Sequence, residues 1–267
     1  MRRLSYAFLA LISVVSLLPF YLMMTMSTYY TEDLFKGLPL WPSDFLRENL
    51  ATVFRSNFAQ VYLNSLTVSV AAVASCLLIS AMIGYAIAKF RFRLRSALHF
   101  FMMITMMVPT QVGLIGYVIE MKALGMGNTL LPVILIWTAF PFGAFFMTQF
   151  IKDTVSQELL ESARLDGCSE PGIFFRVVLP LVKPGLSTLA MLVFLWSWNS
   201  YLLPLVVINN QKWYTLPLFI SNLGIVHRTD YAAMMTALCM AVVPLLVIFI
   251  LASKTFIKGI TAGSVKG

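Results

Sequence analysis

Six stretches of the chain run without a single Asp, Glu, Lys or Arg: Ser5–Thr31, Ser56–Ala88, Ser96–Ile119, Ala123–Ile151, Pro184–Gln211 and Tyr231–Ser253. Each is longer than the roughly 20 residues a helix needs to cross the hydrocarbon layer. The pattern predicts six membrane-spanning helices with cores near 7–29, 63–88, 99–119, 129–150, 185–207 and 233–253. Prolines fall inside several of them (Pro19, Pro109, Pro141, Pro204, Pro244). Membrane helices tolerate proline where neighbours satisfy the freed backbone groups.

Composition agrees with a bilayer as the solvent. Hydrophobic residues make up 60% of the 267, charged residues only 11%, and mean hydropathy is +0.86. A net charge of +8 could suggest nucleic acid, but the basic residues sit at the ends of the apolar runs. That placement sets orientation in a membrane. If the N-terminus is inside, the inner segments hold thirteen Lys and Arg and the outer ones six. Both termini and the segment between runs four and five are therefore expected in the cytoplasm. Arg2-Arg3 ahead of an apolar run also resembles a signal peptide, but the run is long for one and no A-x-A site follows, so an uncleaved first span is expected.

Several chemistries have no residues to carry them. The predicted span cores contain no Asp, Glu, Lys or Arg, groups that ion-coupled carriers commonly place in the membrane. There is no GxxxxGK[ST] loop, so any ATP-driven work would draw on another subunit. His99 and His227 have no adjacent nucleophile, and Cys76, Cys168 and Cys239 have no metal-ligand spacing.

The unusual part is the polar block between runs four and five. "KDTVSQELLESARLDG", from Lys152, predicts a short helix capped by Thr154 or Ser156, with Leu159, Leu160 and Ala163 on one face and Gly167 as its stop. Ser169 can cap a second element, "EPGIFFRVVLP", in which Pro171 occupies the first turn. The alternative is an amphipathic helix lying on lipid headgroups. Such helices carry Lys/Arg-rich polar faces, whereas here five acids (Asp153, Glu158, Glu161, Asp166, Glu170) face four bases. A protein partner fits that charge better.

Glu161-Ser162-Ala163, then Gly167, then Val177, Leu179 and Pro180, resembles the EAA motif: E-A-A, three residues, G, nine residues, I-x-L-P. That motif belongs to the permease subunits of binding-protein-dependent ABC importers. Ser162 and Val177 depart from it conservatively. "YLNSLTVSV" at 62–70, "GYAIAKFRFRLR" at 84–95, "FLWSWNSYLLPL" at 194–205 and "GITAGSVKG" at 259–267 are similar to the carbohydrate branch of that family, in particular its maltose-permease G-type subunits.

The resemblance implies a type I ABC importer permease fold: an all-α membrane protein forming one permease domain over 1–267. It also implies a cytoplasmic coupling helix within the loop 152–184 and a tail over 254–267. It places Glu161, Ser162, Ala163, Asp166, Gly167, Leu179 and Pro180 at the dock for an ATPase subunit, with Gly263, Val265 and Lys266 of the tail as a further contact. The implied partners are a homologous second permease, two ABC ATPases and an extracytoplasmic binding protein, in a bacterial inner membrane. For the binding protein, the outer loop Glu32–Gln60 with Trp41 and Pro42 is a candidate surface. The chain itself would be non-catalytic and free of cofactors, with ATP and Mg on the ATPases. Substrate candidates are Asn199, Trp198 and Gln111, beside Trp196, Tyr201, Thr105 and Thr110, since sugars are held by polar groups and aromatic faces. The alternatives are a polyol or glycerol-phosphate importer, a stand-alone carrier and a non-transporting scaffold.

Overall fold

The structure is a computed structural model and describes residues 2–223 and 230–262. In chain order its helices are α1 (Arg2–Met26), α2 (Leu46–Arg55), α3 (Phe58–Lys89), α4 (Arg95–Met107) and α5 (Thr110–Ala123). Then come α6 (Leu131–Thr138), α7 (Pro141–Thr154), α8 (Gln157–Leu165), α9 (Glu170–Ile173) and α10 (Leu179–Leu181). The last four are α11 (Lys183–Trp198), α12 (Leu202–Val207), α13 (Leu216–Asn222) and α14 (Tyr231–Ala262). There are no strands among the described residues. Among the described residues four helices are long and apolar enough to cross a membrane, or up to six if each of two bent pairs counts as one span.

The bends correct the straight helices expected from the sequence. The third run is not one helix over 99–119: α4 and α5 meet at 102°. Val108 precedes Pro109 and is extended, at ψ 122°, because the proline ring crowds an α conformation in the residue before it. Phe140, before Pro141, is extended for the same reason at ψ 112°, and it separates α6 from α7 within one apolar span, Leu131–Thr154. The fifth run does not continue as helix to 207. It stops at Trp198 and resumes as α12, where the ring of Pro204 excludes a helical carbonyl at Ser200. Two short helices, α2 and α13, lie in segments expected as loop.

The chain forms two compact units, one from 1–63 and 215–246, the other from 64–214 and 247–267. In the first, the end of α1 is tied to the start of α14. Thr31 Oγ1 donates to Asp230 Oδ1 at 2.6 Å, Thr236 Oγ1 donates to the Ser27 carbonyl at 3.2 Å, and Asp230 also accepts from the Ala233 N–H at 3.0 Å. Buried Asn49 of α2 donates to the carbonyls of Ser27 and Tyr29, both at 2.8 Å. Buried polar groups are thus paired with the backbone ends they sit against.

The second unit carries the polar block and is built on the packing of α3 against α7. Ala72, Cys76, Ser80 and Gly84 recur every fourth residue, so α3 presents a strip of small side chains. A Cβ on Gly84 would lie 2.8 Å from the Met147 carbonyl carbon, and one on Gly143 would lie 2.5 Å from Ser80 Oγ. The two backbones touch there. Around that contact Met147, Ile151, Leu160, Ile173, Val178, Leu189 and Val193 form one buried cluster joining α3, α7, α8, the 170–182 segment and α11.

Candidate functional site

The polar block folds as a helix, a tight turn and a second helical arm. Ser156, not Thr154, caps α8: its Oγ accepts from the Leu159 N–H at 3.3 Å, while Thr154 is the last residue of α7. The backbone N–H of Glu158 and the Ser156 hydroxyl hold the Glu158 carboxyl below the usual range. At the other end Gly167 takes φ +81°. Its N–H donates to the Arg164 carbonyl and the Cys168 N–H to the Ala163 carbonyl, both at 3.0 Å. This pair of bonds is a Schellman closure, and it requires the left-handed residue that glycine supplies without strain. Ser169 then caps α9, accepting from the Gly172 N–H at 3.4 Å. The arm runs on through a π-type turn at Phe174–Val178 to Leu181, where it bends 77° into α11.

Two residues bind the arms together. Arg164 Nε donates to Glu170 Oε1 at 2.6 Å, and Tyr85 of α3 donates to Glu170 Oε2 at 3.1 Å. The Glu170 carboxylate raises the Arg164 pKa further. In the sequence Glu170 stands out only as one of the block's five acids and as the first residue of its second element. Its part in the block depends on Tyr85, 85 positions away in the chain.

The faces of α8 are sharply divided. Leu160 and Ala163 turn into the buried cluster, while Leu159 is exposed rather than sharing their face. Glu161, Ser162, Asp166 and Gly167 are exposed, as is Pro180; Leu179 and Val177 are half-buried against the same cluster. Leu165, absent from the sequence-derived set, is 89% exposed beside Asp166. Such an apolar side chain on a short charged helix is the feature a partner's pocket would cover. Gly263, Val265 and Lys266 lie outside the described residues, as does His227.

A cleft of about 600 Å³ opens in the same unit where three helix breaks converge. Val108 belongs to the α4–α5 break, Ala139 and Phe140 to the α6–α7 break and Ser200 to the α11–α12 break, and all four line it. Non-helical backbone survives inside a bilayer where it lines a cavity or is buried in protein. The walls are aromatic: Trp196 makes edge contacts with Phe140 at 5.5 Å and Phe142 at 5.4 Å between ring centroids. Thr105, Thr110, Gln111 and Ser200 supply polar atoms, and no Lys or Arg is among the lining residues described. Trp137 Nε1, in the wall, is buried without a hydrogen-bond partner among the described residues.

Of the substrate candidates, Gln111 lines this cleft together with Thr105, Thr110 and Trp196, whereas Asn199, Trp198 and Tyr201 are not among its lining residues. Trp198 is buried at 2% exposure, stacked on Phe194 at 5.5 Å. Asn199 is exposed, with its amide donating to the Leu195 carbonyl at 2.8 Å. Phe140 and Phe142 were missed, although Pro141 between them was a visible break signal.

The profile of the "binding-protein-dependent transport system inner membrane component" family matches residues 77–261. The chain is 34% identical over 268 residues to the arabinooligosaccharides transport system permease protein AraQ of Halalkalibacterium halodurans, covering 98% of this chain and 94% of that one. It is 33% identical to the diacetylchitobiose uptake system permease protein DasC of Streptomyces coelicolor, covering 93% and 91%. Among solved structures it resembles a chain of a bacterial ABC transporter involved in the import of the acidic polysaccharide alginate, with TM-score 0.83, 21% identity and 95% of each chain covered.

Proposed function

The chain belongs to the binding-protein-dependent transport system inner membrane component family, whose members are non-catalytic permease subunits, and we propose that it forms half of the translocation path of an ATP-driven oligosaccharide importer. In this reading the whole chain acts as one permease domain with both termini in the cytoplasm. It pairs with a homologous permease, two ABC ATPases and an extracytoplasmic binding protein.

The observation that carries this is that α7 and α11 are shared by the block and the cleft. Leu160 and Ala163 of the block pack in one cluster with Met147 and Ile151 of α7 and with Leu189 and Val193 of α11. The same two helices present Phe142 and Trp196 to the cleft. Phe142 is nine residues from Ile151, about 14 Å along a helix. Close-packed side chains do not compress, so a displacement of the block moves the cleft wall. When the ATPases close, the docked surface of Glu161, Ser162, Leu165 and Asp166 is drawn inward and the cleft opens outward. Hydrolysis reverses the step. Leu179 and Pro180 hold the second arm in register, and the tail residues Gly263, Val265 and Lys266 add a further ATPase contact.

The sugar class follows from the relatives' substrates and from the cleft's chemistry. Aromatic faces cover the C–H surfaces of a pyranose, while Gln111, Thr110 and Ser200 bond its hydroxyls. A polyol phosphate is the weaker reading, since a phosphate favours Arg or Lys and neither is among the described residues that line the cleft. The test is reconstitution of the co-purified complex in proteoliposomes with its binding protein and ATP, assayed with arabino- and chito-oligosaccharides and glycerol phosphate. Uptake of a neutral oligosaccharide is expected; uptake of glycerol phosphate alone would overturn the substrate class, and a chain that purifies without an ATPase would overturn the importer reading.

A further inference from the structure

A second cavity, of about 300 Å³, lies where the end of α3 meets the start of α4 and the end of α7. Its lining is basic at the helix ends: Arg95 at the start of α4 and Lys152 near the end of α7 both line it, as do Ser96, His99 and Gln149. His99 Nε2 and the Gln149 side-chain nitrogen are 3.4 Å apart. Neither Arg95 nor Lys152 has a carboxylate partner among the described residues, whose ion pairs are Lys36–Asp33 and Arg164–Glu170.

The cavity changes character along α4. Phe100 is four residues beyond Ser96, and Met103 is four beyond His99, so each apolar side chain sits one turn deeper on the same face as a polar one. Phe100 is 60% exposed and Met103 39%, and both line the cavity with Ile87 and Ala88 of α3. A cationic mouth leading into an apolar trough has the two-part chemistry of a phospholipid: an anionic headgroup, then an acyl chain. A free phosphate would use the mouth and leave the trough uncovered.

We propose that this cavity is a binding site for an anionic phospholipid, with the headgroup phosphate between Arg95 and Lys152 and an acyl chain lying along Phe100 and Met103. Basic pockets between helices at a membrane surface select anionic lipids in this way. The site is independent of the transported substrate, and no part of it lines the larger cleft. Because Lys152 is five residues before α8, occupancy would also brace the end of α7 from which the polar block hangs.

The test uses the assembled importer in mixed micelles with equal amounts of phosphatidylglycerol and phosphatidylcholine, with retained lipids counted by native mass spectrometry. Phosphatidylglycerol should be retained preferentially. In the double variant Arg95→Gln, Lys152→Gln that preference should fall by about five-fold for each charge removed. The charge-retaining Arg95→Lys, Lys152→Arg and the remote Lys212→Gln should keep it. Melting curves identify a double variant that has lost its fold, and the preference is then read from each single variant. Millimolar inorganic phosphate should not displace the lipid. Equal retention of both lipids, an unchanged preference in the glutamine variants, or full displacement by inorganic phosphate would each overturn the proposal. So would a preference in the isolated chain that vanishes on assembly, which would make the cavity a protein interface.

Discussion

Arg164 and Glu170 face each other across the Gly167 turn, their Nε and Oε1 atoms 2.6 Å apart, so the two arms of the polar block are joined by a charged hydrogen bond. Tyr85 fastens the same carboxylate to α3 at 3.1 Å. The side chains of Arg164 and Glu170 are 35% and 43% exposed, so solvent screens the pair and it contributes little to stability. Glu170→Gln should therefore lower stability only slightly. It should reduce ATPase stimulation by the loaded binding protein much more, because the arms can then move separately. A melting curve beside an ATPase assay separates the two effects; coupling that stays whole in Glu170→Gln would show that the tie is dispensable.

Gly167 offers an internal control. It and Gly125 both have positive φ, +81° and +72°, and a Cβ on either would meet nothing within 4 Å. Alanine at each position should cost about 1–2 kcal/mol from backbone strain alone. Matched losses in chemical denaturation are expected, yet only Gly167→Ala should uncouple ATP hydrolysis from uptake. Equal transport in the two variants would reduce Gly167 to a structural turn.

The sequence announced the block more completely than the spans around it. Ser156, Gly167 and Ser169 are local signals whose meaning depends on a few neighbouring residues, and each sits where a cap or stop was expected. The breaks at Val108 and Phe140 were equally local, since a proline follows each, but proline is so often tolerated in membrane helices that the bends went unread. Leu159 misled because one helical face can be drawn through 159, 160 and 163, while only 160 and 163 meet the cluster. The Tyr85–Glu170 bond and the convergence of three breaks on one cleft are tertiary facts, with no trace at short range.

Two glycines predict opposite tolerances. A Cβ on Gly84 would fall 2.8 Å from the Met147 carbonyl carbon and 2.9 Å from the Thr148 nitrogen, so α3 and α7 must separate to admit it. On Gly185 the obstacle is a side chain, the Phe150 ring with Cγ and Cδ1 at 2.7 Å, which has to swing as a whole but leaves the two backbones where they are. Gly84→Ala should cost about 2–3 kcal/mol, in the range of overpacked cores, and reduce the folded yield in membranes. Gly185→Ala should cost less than half as much. Thermal unfolding in one detergent orders them; a Gly185 variant the weaker of the two would show the ring to be locked.

The cleft is tested most sharply by two tryptophans two residues apart. Trp196 is 40% exposed and lines the cleft, whereas Trp198 is 2% exposed and stacked on Phe194. Trp198→Ala removes a buried ring and should cost about 3–5 kcal/mol, seen as lost folded protein. Trp196→Ala should leave assembly near normal and lower oligosaccharide uptake, as should Gln111→Ala. Asn199→Ala should act through stability alone, because its amide is already committed to the Leu195 carbonyl. Cysteine at each position distinguishes these cases independently of uptake: a water-soluble maleimide should label Cys at 111 and 196 and be blocked by the transported sugar at both. A Cys at 198 should stay unlabelled. Labelling at 111 that sugar leaves unchanged would remove this cleft from the translocation path, since a residue in the path must be covered when the path is full.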